Sequence, residues 1–288
     1  MTTIHHHTVG TLTFPLQKPH DFAWLYTLGN PFCVFDQQDS GNVCFGIIDQ
    51  GVKKFVKYAG AAPVRYAGSP ERAVDRLKSA ATLYESLGHP ALVTLLDHFP
   101  IGQGYALLFS WQEGESLHDP VRFPPPAKNT DPSSPFYRFR ALSLQDKLNA
   151  LETIFAFHQW AEERGYVAVD FYDGSLLYDF QAKRLTICDI DLYETGPLIN
   201  TMGRMWGSSR FMAPEEFAKD AVLDRRTNVY RMGATAFVLL GGAKDRSLAA
   251  WSASRALHEV ALQAVEPNRD ERFPDVRSFF EAWKKKNG

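Results

Sequence analysis

Residues 118–140, "HDPVRFPPPAKNTDPSSPFYRFR", hold six prolines. Proline lacks a backbone N–H and its ring clashes with the preceding helical turn, so this stretch cannot be one continuous helix or a central strand. It reads as a surface loop separating two parts of different local character. Before it, "CVFDQQ" (33–38), "NVCFGII" (42–48) and "KKFVKYA" (53–59) are short runs rich in Val, Ile and Phe, divided by the turns "DSG" and "DQG". Such a pattern predicts an antiparallel meander. A helix should follow, capped by Ser69 with Pro70 in its first turn and an apolar face of Val74, Leu77, Ala81 and Tyr84. "YALLFSW" (105–111) predicts one more buried strand.

Behind the proline-rich stretch the chain turns helical. Ser143 caps a long helix with Leu144, Leu148, Leu151, Ile154 and Phe155, ending near Gly165. The runs "GSLLYDF" and "RLTICDI" predict two short strands, and helices are expected over 228–240, 248–264 and 275–286. The expected boundary falls at 110/111, and 288 residues are enough for two lobes.

A hydrophobic share of 45% supplies a core, which argues against a disordered chain. A net charge of −2 gives no electrostatic reason to expect nucleic acid or an anionic membrane as partner. No apolar run approaches the roughly 18 residues of a membrane span. The start, "MTTIHHHTVG", lacks the basic and apolar regions of a signal peptide. Cys33, Cys44 and Cys188 are odd in number and lack metal-site spacing, so reduced thiols and a cytoplasmic location are expected. His5, His6 and His7 could bind a metal, but read more readily as part of a solvated or flexible end. Phe14, Phe22, Trp24 and Leu25 should nevertheless pack residues 1–30 onto the strand-rich part.

Three motifs in the second part are more specific: "SSRFMAPEEF" (208–217), "DRRTNVYRMGATAFVLL" (224–240) and "EPNRDERFPDVRSFFEAW" (266–283). Their order and spacing resemble the eukaryotic-like serine/threonine protein kinases of bacteria, over about residues 33–285. The first is similar to GTxxYMAPE, the second to SDVYSLGxxLxxLL, and the third to DPxxRPxxxxFLxxW. The resemblance implies an α+β, two-lobed kinase-like fold: a small antiparallel-sheet lobe with one helix (1–110) and a larger, mainly helical lobe (111–288). It also implies an ATP- and magnesium-dependent phosphotransferase, with manganese as a substitute ion and a protein as the favoured acceptor.

Carried over residue by residue, the resemblance assigns Asp170 of "AVDFYDGS" to orient the acceptor hydroxyl and Asp189 of "ICDID" to hold magnesium. The two are 19 residues apart with a hairpin between. Ser175 and Asp191 fall at the other metal positions, Asp173 being a substitute ligand. Lys57 is assigned the inner phosphates, and Ser40, Gly41 and Asn42 the backbone amides that cover them. An alternative phosphate loop lies at 28–34. Phe109 and Trp111 fall beside the adenine. Glu215 should pair with Arg272, and Ser208 replaces the usual threonine of the substrate-facing segment.

The chain departs from the family at several of these positions. Ala168 and Val169 replace the His and Arg before the catalytic aspartate, so activation should not depend on a phosphorylated loop docking on that arginine. Tyr172 replaces the lysine that touches the transferred phosphate, Ser175 the metal-binding Asn, Asp191 the Gly after the metal aspartate, and Asn228 the helix aspartate. Ala80 stands where the helix glutamate partner of the lysine belongs; Glu71, Asp75 and Glu85 would need a shifted helix to replace it. Three readings stay open: an active protein kinase, a kinase-fold phosphotransferase for a small molecule, and a nucleotide- or partner-binding pseudokinase. Survival of both carboxylates favours the first.

Overall fold

In the computed structural model, residues 4–287 are described. The expectations for residues 1–30 therefore concern residues 4–30, Met1 to Thr3 lying outside the described residues. The chain is α+β and divides into two compact units. One holds residues 1–88 with 93–112; the other holds 89–92 with 113–288.

The first unit is built on a five-stranded antiparallel sheet. Its strands are β3 (Asn30–Phe35), β4 (Asn42–Asp49), β5 (Val52–Ala59), β6 (Leu95–Ile101) and β7 (Gly104–Ser110), in the order β3-β4-β5-β7-β6. The meander and β7 match the strand-like runs, whereas β6 carries too little alternation to be seen. Helix α1 (Pro70–Ser86) is capped as expected: the Ser69 side chain accepts the Arg72 N–H. Its buried face is Ala73, Leu77, Ala80, Ala81 and Tyr84, one notch away from the face written on Val74.

The opposite sheet face is covered by the N-terminal segment. β1 (His5–Val9) pairs with β2 (Leu12–Leu16), so His5, His6 and His7 are strand residues rather than a flexible end. Phe14, Phe22 and Leu25 are buried with Val43, Phe45, Ile47, Val56 and Tyr58, and Trp24 packs against them. The signal for this hairpin is weak because three histidines and Pro15 mask its alternation. The shared core with the sheet supplies what local propensity does not.

The second unit is held by four helices: α4 (Leu144–Glu163), α5 (Arg225–Leu240), α6 (Arg255–Ala264) and α7 (Val276–Asn287). Ser143 accepts the Asp146 N–H, capping α4. α5 is buried from Thr227 to Leu240, the mark of a helix with neighbours all round. α6 begins only at Arg255, capped by Ser254. Residues 248–250 form a separate short turn, which corrects the expected 248–264 helix. Phe155 of α4 meets Phe279, Phe280 and Trp283 of α7 edge-on, closing one side of the core.

Short strands complete this unit: β8 (Glu115–Ser116), β9 (Tyr166–Val167), β10 (Leu176–Asp179), β11 (Arg184–Ile187), β12 (Glu194–Thr195), β13 (Leu198–Ile199) and β14 (Val222–Leu223). β10 and β11 form the expected hairpin between Asp170 and Asp189. The proline-rich stretch is no surface loop. It folds into α2 (Ala127–Thr130) and α3 (Pro135–Arg140), with Phe123, Lys128, Ser134, Phe136 and Phe139 buried. Proline at the start of α3 suits a helix's first turn, so prolines break this segment without unfolding it. No described helix is long and apolar enough to cross a membrane.

Candidate functional site

In the first unit, Lys57 lies on β5 between Cys44 of β4 and Leu107 of β7. Strand side chains alternate between faces, so Lys57 shares the face of Leu107, opposite to that of Val56 and Tyr58. α1 covers this face: Tyr84 packs edge-on against Phe109. Lys57 is buried. The inner face of α1 carries Ala80, fully buried, and no carboxylate. Glu71, Asp75 and Glu85 are all exposed, and Glu85 meets His98 at 3.1 Å.

The turn assigned to phosphates is packed down instead of presented. Gly41 is buried with φ +85°, and a Cβ there would lie 2.8 Å from both the Ala73 Cβ and the Tyr66 ring. The Arg76 guanidinium donates to the Ser40 carbonyl, and Asn42 is buried. Phe109 is likewise turned into the core against Phe55 and Tyr84. Trp111 packs against Phe32, 5.0 Å between centroids, with the Lys53 ammonium 5.8 Å from its ring. At the alternative loop, a Cβ on Gly29 would lie 2.8 Å from the Ile48 carbonyl oxygen, so that glycine serves a close approach of two strands.

The second unit carries Asp170, Ser175, Asp189 and Asp191. Asp170 has φ +61°, a left-handed conformation that Asp tolerates better than most residues but that still needs support from its surroundings. That support comes from α5. Asn228 Oδ1 accepts the Ala168 N–H at 2.9 Å, while its Nδ2 donates to the Tyr166 carbonyl at 3.0 Å and to Glu162 at 3.1 Å. Arg231, fully buried, donates to the Phe171 carbonyl at 2.8 Å and pairs with Glu216. Glu216 in turn accepts the Ala213 N–H at 2.7 Å, tying the loop to the "APEE" stretch.

Beneath the loop, His158 donates from Nδ1 to the Ile154 carbonyl at 2.7 Å. Its Nε2 therefore accepts from the Tyr193 hydroxyl, also at 2.7 Å. Burial drives His158 down to about 3, and burial raises Tyr193 well above the usual phenol. Both Asp170 and Asp189 act electrostatically on Tyr193, which places the two carboxylates around one buried group. The Cys188 N–H donates to the Ser175 carbonyl at 2.9 Å, setting Ser175 beside the residue preceding Asp189. The Asp191 N–H donates to Asp189 Oδ1 at 3.3 Å, so the residue in the glycine's place stiffens this turn through its backbone.

Asp173 is not a spare metal ligand. Its carboxylate, fully buried, accepts both Arg210 nitrogens, at 2.7 and 2.8 Å, and the Lys128 ammonium at 2.6 Å. Burial alone would raise this carboxyl, but Arg210 and Lys128 hold it below the usual range. Burial pushes the Lys128 ammonium down to about 8 despite Asp173. Lys128 and Arg210 escape sequence reasoning because they lie 45 and 37 residues from Asp173. Among the described residues, no three His, Cys, Asp or Glu side chains are clustered to hold a metal by themselves.

Near α5, Glu215 accepts Arg272 Nη1 at 2.8 Å and Nη2 at 3.0 Å, a buried two-pronged pair. Ser208 sits one residue after Gly207, where a Cβ would lie 3.4 Å from Asp170 Oδ1. The segment carrying Ser208 therefore runs directly against Asp170.

No family model matches the chain. Over 180 residues it is 26% identical to the serine/threonine-protein kinase pkn2 of Myxococcus xanthus, a stretch covering 58% of this chain. The same stretch is 19% of that kinase, so the similarity reaches about a fifth of the relative's length. The chain is thus an α+β protein with a distant, partial similarity to a serine/threonine kinase.

Proposed function

We propose that the chain is an ATP- and magnesium-dependent phosphotransferase of the protein-kinase type, its acceptor a Ser or Thr hydroxyl of a protein. The observation that carries this is the pinned loop around Asp170. Asn228 and Arg231 hold it from one helix, and the Ser208 segment lies against its carboxylate. Phosphoryl transfer needs positioned groups and charge stabilisation more than covalent chemistry, so a rigid carboxylate beside an acceptor-binding segment is the relevant feature.

In this reading Asp170 accepts a hydrogen bond from the acceptor hydroxyl and aligns it. Asp189 and Asp191 offer carboxylate oxygens and Ser175 a hydroxyl, a donor set of the hard oxygen type that magnesium prefers. The ion, when bound, neutralises charge on the phosphate oxygens. Lys57 binds inner phosphates through its ammonium. Asp173 takes no part in metal binding, since Lys128 and Arg210 engage both its oxygens.

Ala80, buried where the resemblance would place a helix carboxylate, favours a second reading, a nucleotide-binding module without turnover. A thermal-shift titration with ATP, with and without Mg²⁺, tests both. Ligand at a hundred times its Kd stabilises by about 2.7 kcal/mol, roughly 4–5 °C for a chain of this size. A magnesium-dependent shift that Asp189→Ala abolishes is expected. An equal shift in that variant, or none in wild type, overturns the assignment. Binding with no phosphate release leaves the second reading.

A further inference from the structure

The Asp173 network has a geometry that the family resemblance does not supply. The geometry points to a permanent clamp in which Lys128, delivered by the proline-rich insert, acts as a positioning residue for Asp170 in place of a phosphorylated activation segment. This inference rests on the phosphotransferase reading for its consequence, though not for the clamp itself.

Asp173 lies three residues after Asp170, and Arg210 lies three residues after Gly207. The two outer residues are joined by a bidentate ion pair, and the two inner residues lie close, a Cβ on Gly207 being 3.4 Å from Asp170 Oδ1. One carboxylate thus staples the loop 170–173 alongside the segment 207–210. A guanidinium fork fixes orientation as well as distance, and burial of the carboxylate reduces the solvent screening that weakens surface pairs.

Lys128 adds the insert to the staple. Its backbone carbonyl accepts the buried Ser134 hydroxyl at 2.8 Å, and its ammonium lies 4.6 Å from the Phe136 ring centroid. The ammonium also meets His118 Nδ1 at 2.9 Å, which requires that ring nitrogen to be the acceptor and His118 to be neutral. Lys128 thus joins α2 to Ser134 through its carbonyl and to Phe136 of α3 through its ammonium. With Val169 in place of the phosphate-docking arginine, the clamp supplies by fixed charges what phosphorylation supplies elsewhere.

Asp173→Asn would leave the buried Lys128 ammonium and the half-buried Arg210 guanidinium without a counter-charge, so Lys128→Met is the informative variant: it leaves a matched Arg210–Asp173 pair and should fold. The full chain, Lys128→Met, Lys128→Arg and Arg210→Gln would be compared by MgATP hydrolysis, MgATP-induced thermal shift and amide hydrogen exchange of residues 168–176 and 205–212. Lys128→Met should lose about tenfold to a hundredfold in kcat with KM for MgATP nearly unchanged. Lys128→Arg should recover most of that loss, and phosphatase treatment should leave wild-type turnover intact. Exchange over 205–212 should quicken in Lys128→Met and Arg210→Gln. Wild-type turnover in Lys128→Met, unchanged exchange in both variants, or loss of turnover on phosphatase treatment overturns the clamp. A wild type inert toward MgATP would sink the phosphotransferase reading, and the exchange comparison would still decide whether the clamp exists.

Discussion

Asn228 on α5 accepts the backbone N–H of Ala168 at 2.9 Å while its own amide N–H₂ faces Glu162 and the Tyr166 carbonyl. The family resemblance puts an aspartate at this position, and the local chemistry explains why an amide suits this chain. A second acceptor there would confront Glu162, whose carboxyl burial already pushes up to about 7. Loss of charge at 228 is matched to a carboxyl group that its neighbours share.

Asn228→Asp should therefore destabilise the protein despite restoring the family residue. Two donors disappear and a carboxylate is set against Glu162, a loss of about 1–3 kcal/mol in urea unfolding. Adding Glu162→Gln should return part of it, because the new amide can donate to Asp at 228. Additive effects of the two changes would contradict this coupling.

Arg272→Ala leaves the buried Glu215 without its two-pronged partner, beside Thr227, which donates at 2.9 Å, and Arg269 at 4.0 Å. Removing one partner of a buried pair costs about 3–5 kcal/mol. The unfolding midpoint in urea should fall accordingly, with little change in slope.

His158 makes the fold sensitive to acid. The folded state holds the ring neutral with its proton affinity depressed from 6.5 to about 3. Between those values the unfolded chain binds more protons, so stability is present above pH 6.5 and is lost as pH falls toward 3. The slope from this one group is at most about 1.4 kcal/mol per pH unit. Unfolding free energies at pH 5 and 7.5 should show the loss, and His158→Gln should flatten it. Equal pH slopes in the two proteins would assign the acid sensitivity to other groups.

Asp170→Ala should bind MgATP as wild type does and lose turnover by about 10²–10⁴, the usual contribution of a positioned proton acceptor. Thermal shift and phosphate release measured on the same sample separate the two effects. A parallel loss of binding would mean that Asp170 serves the nucleotide and not the acceptor.

Much of this was legible in the residues themselves. Ser69 and Ser143 announce the starts of α1 and α4, because a hydroxyl at a helix N-terminus satisfies an N–H within three residues. The β10–β11 hairpin and the spacing of Asp170 and Asp189 are likewise local. Ala80 was placed opposite the lysine by the family resemblance, and its burial follows from the α1 face on which it falls. The Glu215–Arg272 contact spans 57 residues and was accessible only because a resemblance supplied it.

What only the tertiary structure decided is the company of the buried polar groups. A carboxylate at 173 reads equally well as a turn residue or a metal ligand. Arg210 and Lys128 choose neither, because burial makes the nearest available cations its obligatory partners, wherever they stand in the chain. The same holds for the proline-rich stretch. Its prolines exclude one continuous helix or a central strand, a local fact, but the burial of Phe123, Phe136 and Phe139 depends on apolar surface provided by distant segments. Capping and periodicity act within a turn or a strand and can be read in order; the pairing of buried charge is settled by packing alone.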